Sequence, residues 1–230
     1  MAKTILITGA NGGLGTAVVK KFLDEQYKVI GVDHSGSHLG FAHDHPQFEL
    51  HAVNLSDETA SDLFAKEAIS LYKQIDGALL LVGGFAMGDI AATDGAALKK
   101  MFAMNFETAY YLVRPLFQHM MENGYGRIVL VGARPALQPE AGKNLIAYSL
   151  SKSLLVQLAN LLNESAKGKD VVVSVIAPST IDTPANRKDM PDADFSKWVK
   201  PSEIADVLEF ICSGKGDILR KSVYHVYGNA

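Results

Sequence analysis

The feature that most constrains this chain lies near its start. A β-branched run, Lys3 to Thr8, passes directly into Gly9-Ala10-Asn11-Gly12-Gly13-Leu14-Gly15, and a stretch of helical period follows over Gly13–Glu25. Glycines at a strand-to-helix junction let the chain turn sharply and let the helix pack closely on the strand. A helix entered in this way returns the chain to the start of the sheet, so the next strand runs parallel to the first.

The remaining chain repeats the alternation. Further strands are predicted at Lys28–Asp33, Phe48–Ala52, Ala78–Val82, Arg127–Val131, Val171–Ala177 and Ser222–Val226. Helices are predicted at Asp57–Gln74, Thr93–Glu122, Leu145–Ala166 and Pro201–Ser213. Ser56 reads as an N-cap, with Asp57 and Glu58 suited to the positive end of the helix dipole. Ala60, Phe64, Ala68, Leu71 and Ile75 then form one core-facing stripe. The strands are apolar runs, as expected when both faces of a parallel sheet are covered. The expectation is an α/β fold with a doubly wound, seven-stranded parallel sheet, helices on both faces, and one domain over residues 1–230.

Composition narrows the partners. The 230 residues are 48% hydrophobic and 20% charged, with 22 Lys and Arg against 25 Asp and Glu. Without a basic excess, nucleic acid and anionic membranes are not expected partners. No segment reaches the roughly 18 apolar residues of a membrane helix, and the first apolar run is too short for a signal-peptide core. A single cysteine, Cys212, reads as a buried thiol, so the cytoplasm is the expected compartment. His34, His38, His43, His45 and His51 crowd one region, but no Cys joins them and they read as solvated loop residues, with no metal expected.

On doubly wound sheets, ligands bind beyond the carboxyl ends of the strands. Gly9, Asn11, Gly12, Gly13, Leu14 and Gly15 lie there, at a helix N-terminus suited to a pyrophosphate. The second strand ends at Asp33, placed to accept the hydroxyls of an adenosine ribose and to repel a 2′-phosphate. No Arg or Lys follows in His34–His45. NAD(H) is therefore preferred, with NADP(H) as the alternative. Further on, Tyr148 and Lys152 are spaced i, i+4 and so share one helix face, among Leu154, Leu155, Leu158, Leu161 and Leu162. An ammonium beside a phenol favours phenolate, which predicts a lowered tyrosine pKa and a general acid/base.

Thr8-Gly9-x-x-x-Gly13-x-Gly15 followed by Tyr148-x-x-x-Lys152 resembles the short-chain dehydrogenase/reductase family, in order, spacing and length over nearly the whole chain. The resemblance implies a Rossmann-type fold, with Tyr148 as general acid/base and Lys152 tuning it and binding the nicotinamide ribose. It also implies a proton-relay role for Asn105, cofactor contacts at Asn54, Leu55, Gly83, Pro178 and Thr183, and a small-molecule substrate. A homodimer or homotetramer is implied, with Thr93–Glu122 and Leu145–Ala166 at the interfaces. Two departures stand out. The family's Asn-Asn-Ala-Gly reads Leu80-Leu81-Val82-Gly83, and no Ser or Thr lies between Arg127 and Ala147, where the family places its substrate-polarising serine. Gly132-Ala133 occupies that position.

Both departures resemble one branch, the quinonoid dihydropteridine reductases, which also carry a Gly-Gly-aromatic turn like Gly83-Gly84-Phe85. The segment from Asp182 to Trp198 resembles that branch too, whereas Asn105 resembles the wider family. The expected activity is NADH-dependent reduction of a conjugated heterocycle. Rival readings are a carbonyl or alcohol oxidoreductase in which Arg134 or another polar group replaces the serine, and a non-catalytic NAD-sensing protein.

Overall fold

The computed structural model describes residues 2–36, 39–220 and 223–229. His38 and Ser222, part of the readings above, lie outside the described residues. Within them, seven strands form one parallel sheet in the order β3-β2-β1-β4-β5-β6-β7. The strands are β1 Thr4–Thr8, β2 Lys28–Asp33, β3 Phe48–Ala52, β4 Gly77–Leu80, β5 Tyr125–Val131, β6 Asp170–Pro178 and β7 Val223–Val226. The order reverses between β1 and β4, which opens a crevice at the carboxyl ends of those two strands.

The principal helices are α1 Gly13–Asp24, α2 Glu58–Tyr72, α3 Gly95–Phe102 and α4 Thr108–Asn123. Two single turns follow β5, α5 Arg134–Leu137 and α6 Pro139–Gly142, each with a proline in its first turn. Then come α7 Ile146–Ser165, α8 Pro184–Asp189 and α9 Pro201–Cys212. Alternate strand residues feed two separate cores. Ile5, Ile7, Val129 and Ile176 pack with Val18 and Phe22 of α1 and Ile204 and Leu208 of α9. Leu6, Ile128, Leu130 and Val173 pack on the other face with Phe64 of α2, Leu112 and Leu116 of α4, and Leu155 of α7. Every strand between the edges is thus sealed on both sides, which explains its unbroken apolar sequence. Among the described residues, no helix is long and apolar enough to cross a membrane.

Four local expectations are corrected. Asp57, not Ser56, caps α2, its carboxylate accepting from Ala60 N–H at 3.0 Å. The buried stripe of α2 is Ser61, Phe64, Ala65 and Ala68, while Leu71 is exposed because the helix ends at Tyr72 and Lys73 turns left-handed. On α7, Leu155 and Leu158 are buried but Leu154 and Leu161 face outward. The single helix expected over Thr93–Glu122 is broken by a π-helical turn, Ala103–Glu107, between α3 and α4. A π-turn inserts one extra residue per turn and so re-aims the side chains it carries. Asn105 is one of them.

Candidate active site

The glycine turn is built by close contacts that forbid side chains. Gly9 adopts φ +65° at the end of β1. A Cβ on Gly15 would lie 1.9 Å from the Gly9 carbonyl oxygen, and one on Gly13 would lie 2.9 Å from Thr183 Cγ2. Helix α1 starts with no side-chain cap and no acidic residue in its first turn. Its leading N–H groups therefore point, unpartnered by side chains, into the crevice. The Thr8 hydroxyl accepts from Leu81 N–H at 2.9 Å, tying β1 to the chain leaving β4.

A cavity of about 500 Å³ opens there. Its lining includes Gly9, Gly12, Gly13, Leu14, Gly15, Asp33, Asn54, Leu55 and Gly83, nine of the residues singled out for cofactor contact. Asn11, Pro178 and Thr183 are not on its wall. Asn11 N–H donates to Asp33 Oδ2 at 2.9 Å, Pro178 ends β6, and Thr183 caps α8 while touching the Gly13 position. His34, Val53, Met104 and Thr108 also line the cavity and were not expected. Asp33 is fixed from both sides, since His34 N–H donates to its Oδ1 at 2.7 Å. No lysine or arginine is among the lining residues.

Helix α7 carries Tyr148 and Lys152, and Lys152 Nζ lies beside Gly83 of the cavity wall, 2.8 Å from where a Cβ on that glycine would stand. Lys152 is buried, and its ammonium donates to the Val131 carbonyl at 2.8 Å. Burial without a carboxylate partner pulls its pKa down from 10.5 to about 8. Tyr148 is half-buried, with Phe85 standing edge-on at 5.1 Å between ring centroids. Its phenol is pushed up to about 12 by desolvation. The expected lowering by Lys152 is therefore corrected. The ammonium spends its hydrogen bond on a carbonyl, and loss of water outweighs any charge effect at the phenol. A tyrosine in this state keeps its proton at neutral pH.

Asn105 is fully buried and bridges three elements. Its Oδ1 accepts from Gly84 N–H at 2.7 Å, and its Nδ2 donates to Ser151 Oγ at 3.0 Å. Ser151 in turn donates to the Tyr148 carbonyl at 2.7 Å. Ser151 went unnoticed in the sequence; its signal was a hydroxyl three residues beyond Tyr148, facing the same side of the helix. The loop after β4 is also pinned at Gly88, which donates to the Asn144 carbonyl and accepts from Ile146 N–H, both at 2.9 Å. Phe85 is thereby held beside Tyr148 although it is largely exposed.

Ala133 is buried at the end of β5, so no hydroxyl projects there. Arg134 follows it, its Nε donating to Gln138 Oε1 at 2.7 Å. Beyond β6, Asp182 holds Arg187 through two hydrogen bonds, Arg187 lies over Phe195, and Phe195 packs on Trp198.

The model of the family described as short chain dehydrogenase matches residues 3–194. The chain belongs to that family. A short-chain dehydrogenase of this kind is a nicotinamide-dependent oxidoreductase acting on a small molecule, which fits the glycine turn, cavity and Tyr–Lys helix. Among curated relatives, an uncharacterized oxidoreductase of Bacillus subtilis is 26% identical, covering 99% of this chain and 98% of its own. A dihydropteridine reductase of Dictyostelium discoideum is 29% identical, covering 90% of this chain and 87% of its own. An acetoacetyl-CoA reductase of an Acinetobacter strain is 25% identical, with 93% and 92% covered. The fold is shared with a Burkholderia thailandensis oxidoreductase of the same family, at TM-score 0.86, 23% identity and 99% and 92% coverage. It is shared also with the NADP-bound protein ElxO, at TM-score 0.89, 19% identity and 99% and 98% coverage.

Proposed function

We infer that this short-chain dehydrogenase is an NADH-dependent reductase whose acceptor is a conjugated heterocycle of the quinonoid dihydropterin type. The observation that carries the reading is the buried Ala133 beside an intact Tyr148–Lys152 helix. Reducing a ketone concentrates negative charge on one oxygen, and loss of one donor to such an oxygen costs about 10²–10³ in rate. A conjugated ring spreads the incoming electron pair over several heteroatoms and depends less on one hydroxyl. The dihydropteridine reductase relative agrees with this reading.

A bound reduced nicotinamide supplies the hydride. The chain's residues do the rest. The glycine turn and the α1 N-terminus receive the pyrophosphate, and Asn54 and Leu55 flank the adenine end. Asp33 accepts from the ribose hydroxyls and disfavours a 2′-phosphate, and the absence of Lys or Arg from the cavity wall supports NADH over NADPH. Pro178 and Thr183 border the nicotinamide end with Gly83. Lys152, held on the Val131 carbonyl, retains protons to offer the second ribose. Tyr148 delivers its phenolic proton to a ring nitrogen of the acceptor as the hydride arrives, and Asn105 keeps the tyrosine helix in register with the β4 loop.

The exposed faces of α4 and α7, with Tyr110, Leu150, Leu154 and Leu161, support a homodimer or homotetramer through those helices. The buried single thiol accords with a cytoplasmic enzyme. The deciding experiment compares NADH oxidation with quinonoid dihydropterin against small ketones, quinones and acyl-thioester ketones. Pterin turnover at least tenfold above every ketone is expected. Ketone turnover with none of the pterin favours instead the carbonyl reductase reading, which relatives such as the acetoacetyl-CoA reductase keep open.

A further inference from the structure

The chain contains five arginines, and four of them meet a carboxylate: Arg114 with Glu58, Arg127 with Asp170 and Asp217, Arg187 with Asp182, and Arg220 with Asp170. Arg134 has no carboxylate within 4 Å among the described residues, yet it is held in place. Its Nε is committed to Gln138, and its guanidinium carbon lies 5.2 Å from the centroid of the Tyr227 ring. Neither terminal nitrogen has a hydrogen-bond partner among the described residues. Tyr227 is fixed through its carbonyl, which accepts from Ser179 Oγ at 2.9 Å. Its own hydroxyl is buried with no protein partner.

These groups stand at the carboxyl ends of β5, β6 and β7, the edge of the sheet where ligands bind. Arg134 comes one residue after Ala133, where the family's serine is missing. The buried Tyr227 hydroxyl, left unsatisfied by protein, is costly to keep, while the terminal nitrogens of the half-buried Arg134 stay open to solvent and to a ligand. Stacking on Tyr227 and the bond to Gln138 pre-orient the planar fork, so little freedom is lost on binding.

We propose that Arg134, carried on the Tyr227 ring, forms a recognition fork for two coplanar acceptor atoms of the substrate. Resting on the pterin reading above, those atoms are the ring carbonyl oxygen and its neighbouring imine nitrogen, which match the paired N–H groups of a guanidinium. The fork is not an acid, since an arginine does not release its proton. It binds the acceptor, and it binds more strongly as the hydride's electron pair makes that carbonyl more negative. Arg134 thus takes over, from another direction, the polarising task that a serine at position 133 would perform.

The test uses Arg134→Met, Arg134→Lys and Tyr227→Phe in the purified enzyme with NADH. Arg134→Met is expected to lower kcat/KM for quinonoid dihydropterin about 100-fold, through kcat as well as KM, with the NADH dissociation constant within twofold of wild type. Arg134→Lys should recover only part of the loss, because an ammonium cannot make the paired contact. Tyr227→Phe, which removes one buried atom and leaves the stack, should keep KM within threefold, and a KM for Arg134→Met no worse than for Tyr227→Phe overturns the fork. A kcat/KM within threefold of wild type in Arg134→Met overturns the fork. Should wild type reject the pterin, the substrate reading fails and the fork is judged separately. For whichever ketone is reduced, a free acid must then be preferred to its methyl ester, and Arg134→Met must abolish that preference. A preference that is absent, or that survives the substitution, overturns the fork.

Discussion

Asp33 carries the proposed preference for NADH and gives it its most direct test. Its carboxylate sits on the cavity wall with one oxygen bonded to Asn11 N–H and the other to His34 N–H. Two unit charges about 4 Å apart at an effective dielectric of about 20 repel by about 4 kcal/mol. An open, hydrated cavity weakens this, so about 2–3 kcal/mol is the reasonable net figure for a 2′-phosphate. That corresponds to a preference for NADH over NADPH of about 30- to 150-fold in dissociation constant. Two substitutions separate the contributions. Asp33→Asn removes the charge but leaves an acceptor for a backbone N–H, so NADPH should tighten about 30-fold while NADH weakens only a few-fold. Asp33→Ala also loses both backbone contacts, so NADH should weaken about tenfold and the glycine turn should loosen. Fluorescence titration of both cofactors at fixed low and moderate salt is the assay, and the preference should shrink as salt rises. Equal affinities in wild type, or a ratio unmoved by Asp33→Asn, would falsify the argument.

Tyr148→Phe should lower turnover by about 10²–10⁴ with the NADH dissociation constant little changed, as stopped-flow and titration on one preparation can establish. Lys152 carries a pH signature in the cofactor-free protein. Its pKa is depressed in the fold to about 8, so between about pH 8 and 10.5 the unfolded chain binds the extra proton and stability rises with pH. Denaturant melts of wild type and Lys152→Met should therefore diverge in favour of wild type by on the order of 3 kcal/mol across that window, and a constant difference would refute the depressed pKa. Ala133→Ser should raise residual ketone reduction without improving pterin reduction, and an equal gain for both would show that position 133 does not face the reacting oxygen.

Much of the fold was legible because its strongest signals are local. Apolar β-branched runs marked each strand to within two residues, and the glycine turn marked the crevice. Nine of the positions expected to contact a cofactor line one cavity because they lie at or just beyond strand ends on the same edge. What escaped the sequence has physical reasons. A π-turn has no composition of its own, so the break at Ala103–Glu107 was invisible, although Asn105 depends on it. Ser56 and Asp57 are both competent caps, and only the backbone decides between them. The electrostatics at Tyr148 reversed because proximity of a lysine on a helix says nothing about where its ammonium donates. Here it reaches Val131, while burial acts on both groups.

The Gly83-Gly84 pair, the turn that resembles the dihydropteridine reductase branch, also acquires a cause. A Cβ on Gly83 would lie 2.7 Å from Asn105 Oδ1 and 2.8 Å from Lys152 Nζ. One on Gly84 would lie 2.0 Å from Met104 Sδ. Both contacts are too close, yet they differ in what must yield. Met104 is flexible and half-buried, so Gly84→Ala can be absorbed by a rotamer change at a cost of about 1–3 kcal/mol. Because Met104 lines the cavity, that change should appear as a weaker NADH affinity. Around Gly83 the yielding atoms are a buried ammonium and a buried amide, each already hydrogen-bonded. Moving either disturbs the Asn105–Ser151–Tyr148 link or withdraws Lys152 from the Val131 carbonyl. Gly83→Ala should therefore cut turnover at least 100-fold, whereas Gly84→Ala should stay within tenfold once NADH is saturating. Gly83→Ala should also unfold at the lower temperature, since its neighbours are buried and hydrogen-bonded while Met104 can turn aside. Wild-type turnover in Gly83→Ala, or a larger loss in Gly84→Ala at saturating NADH, would mean that the space beside Gly83 is not where Lys152 and Asn105 do their work.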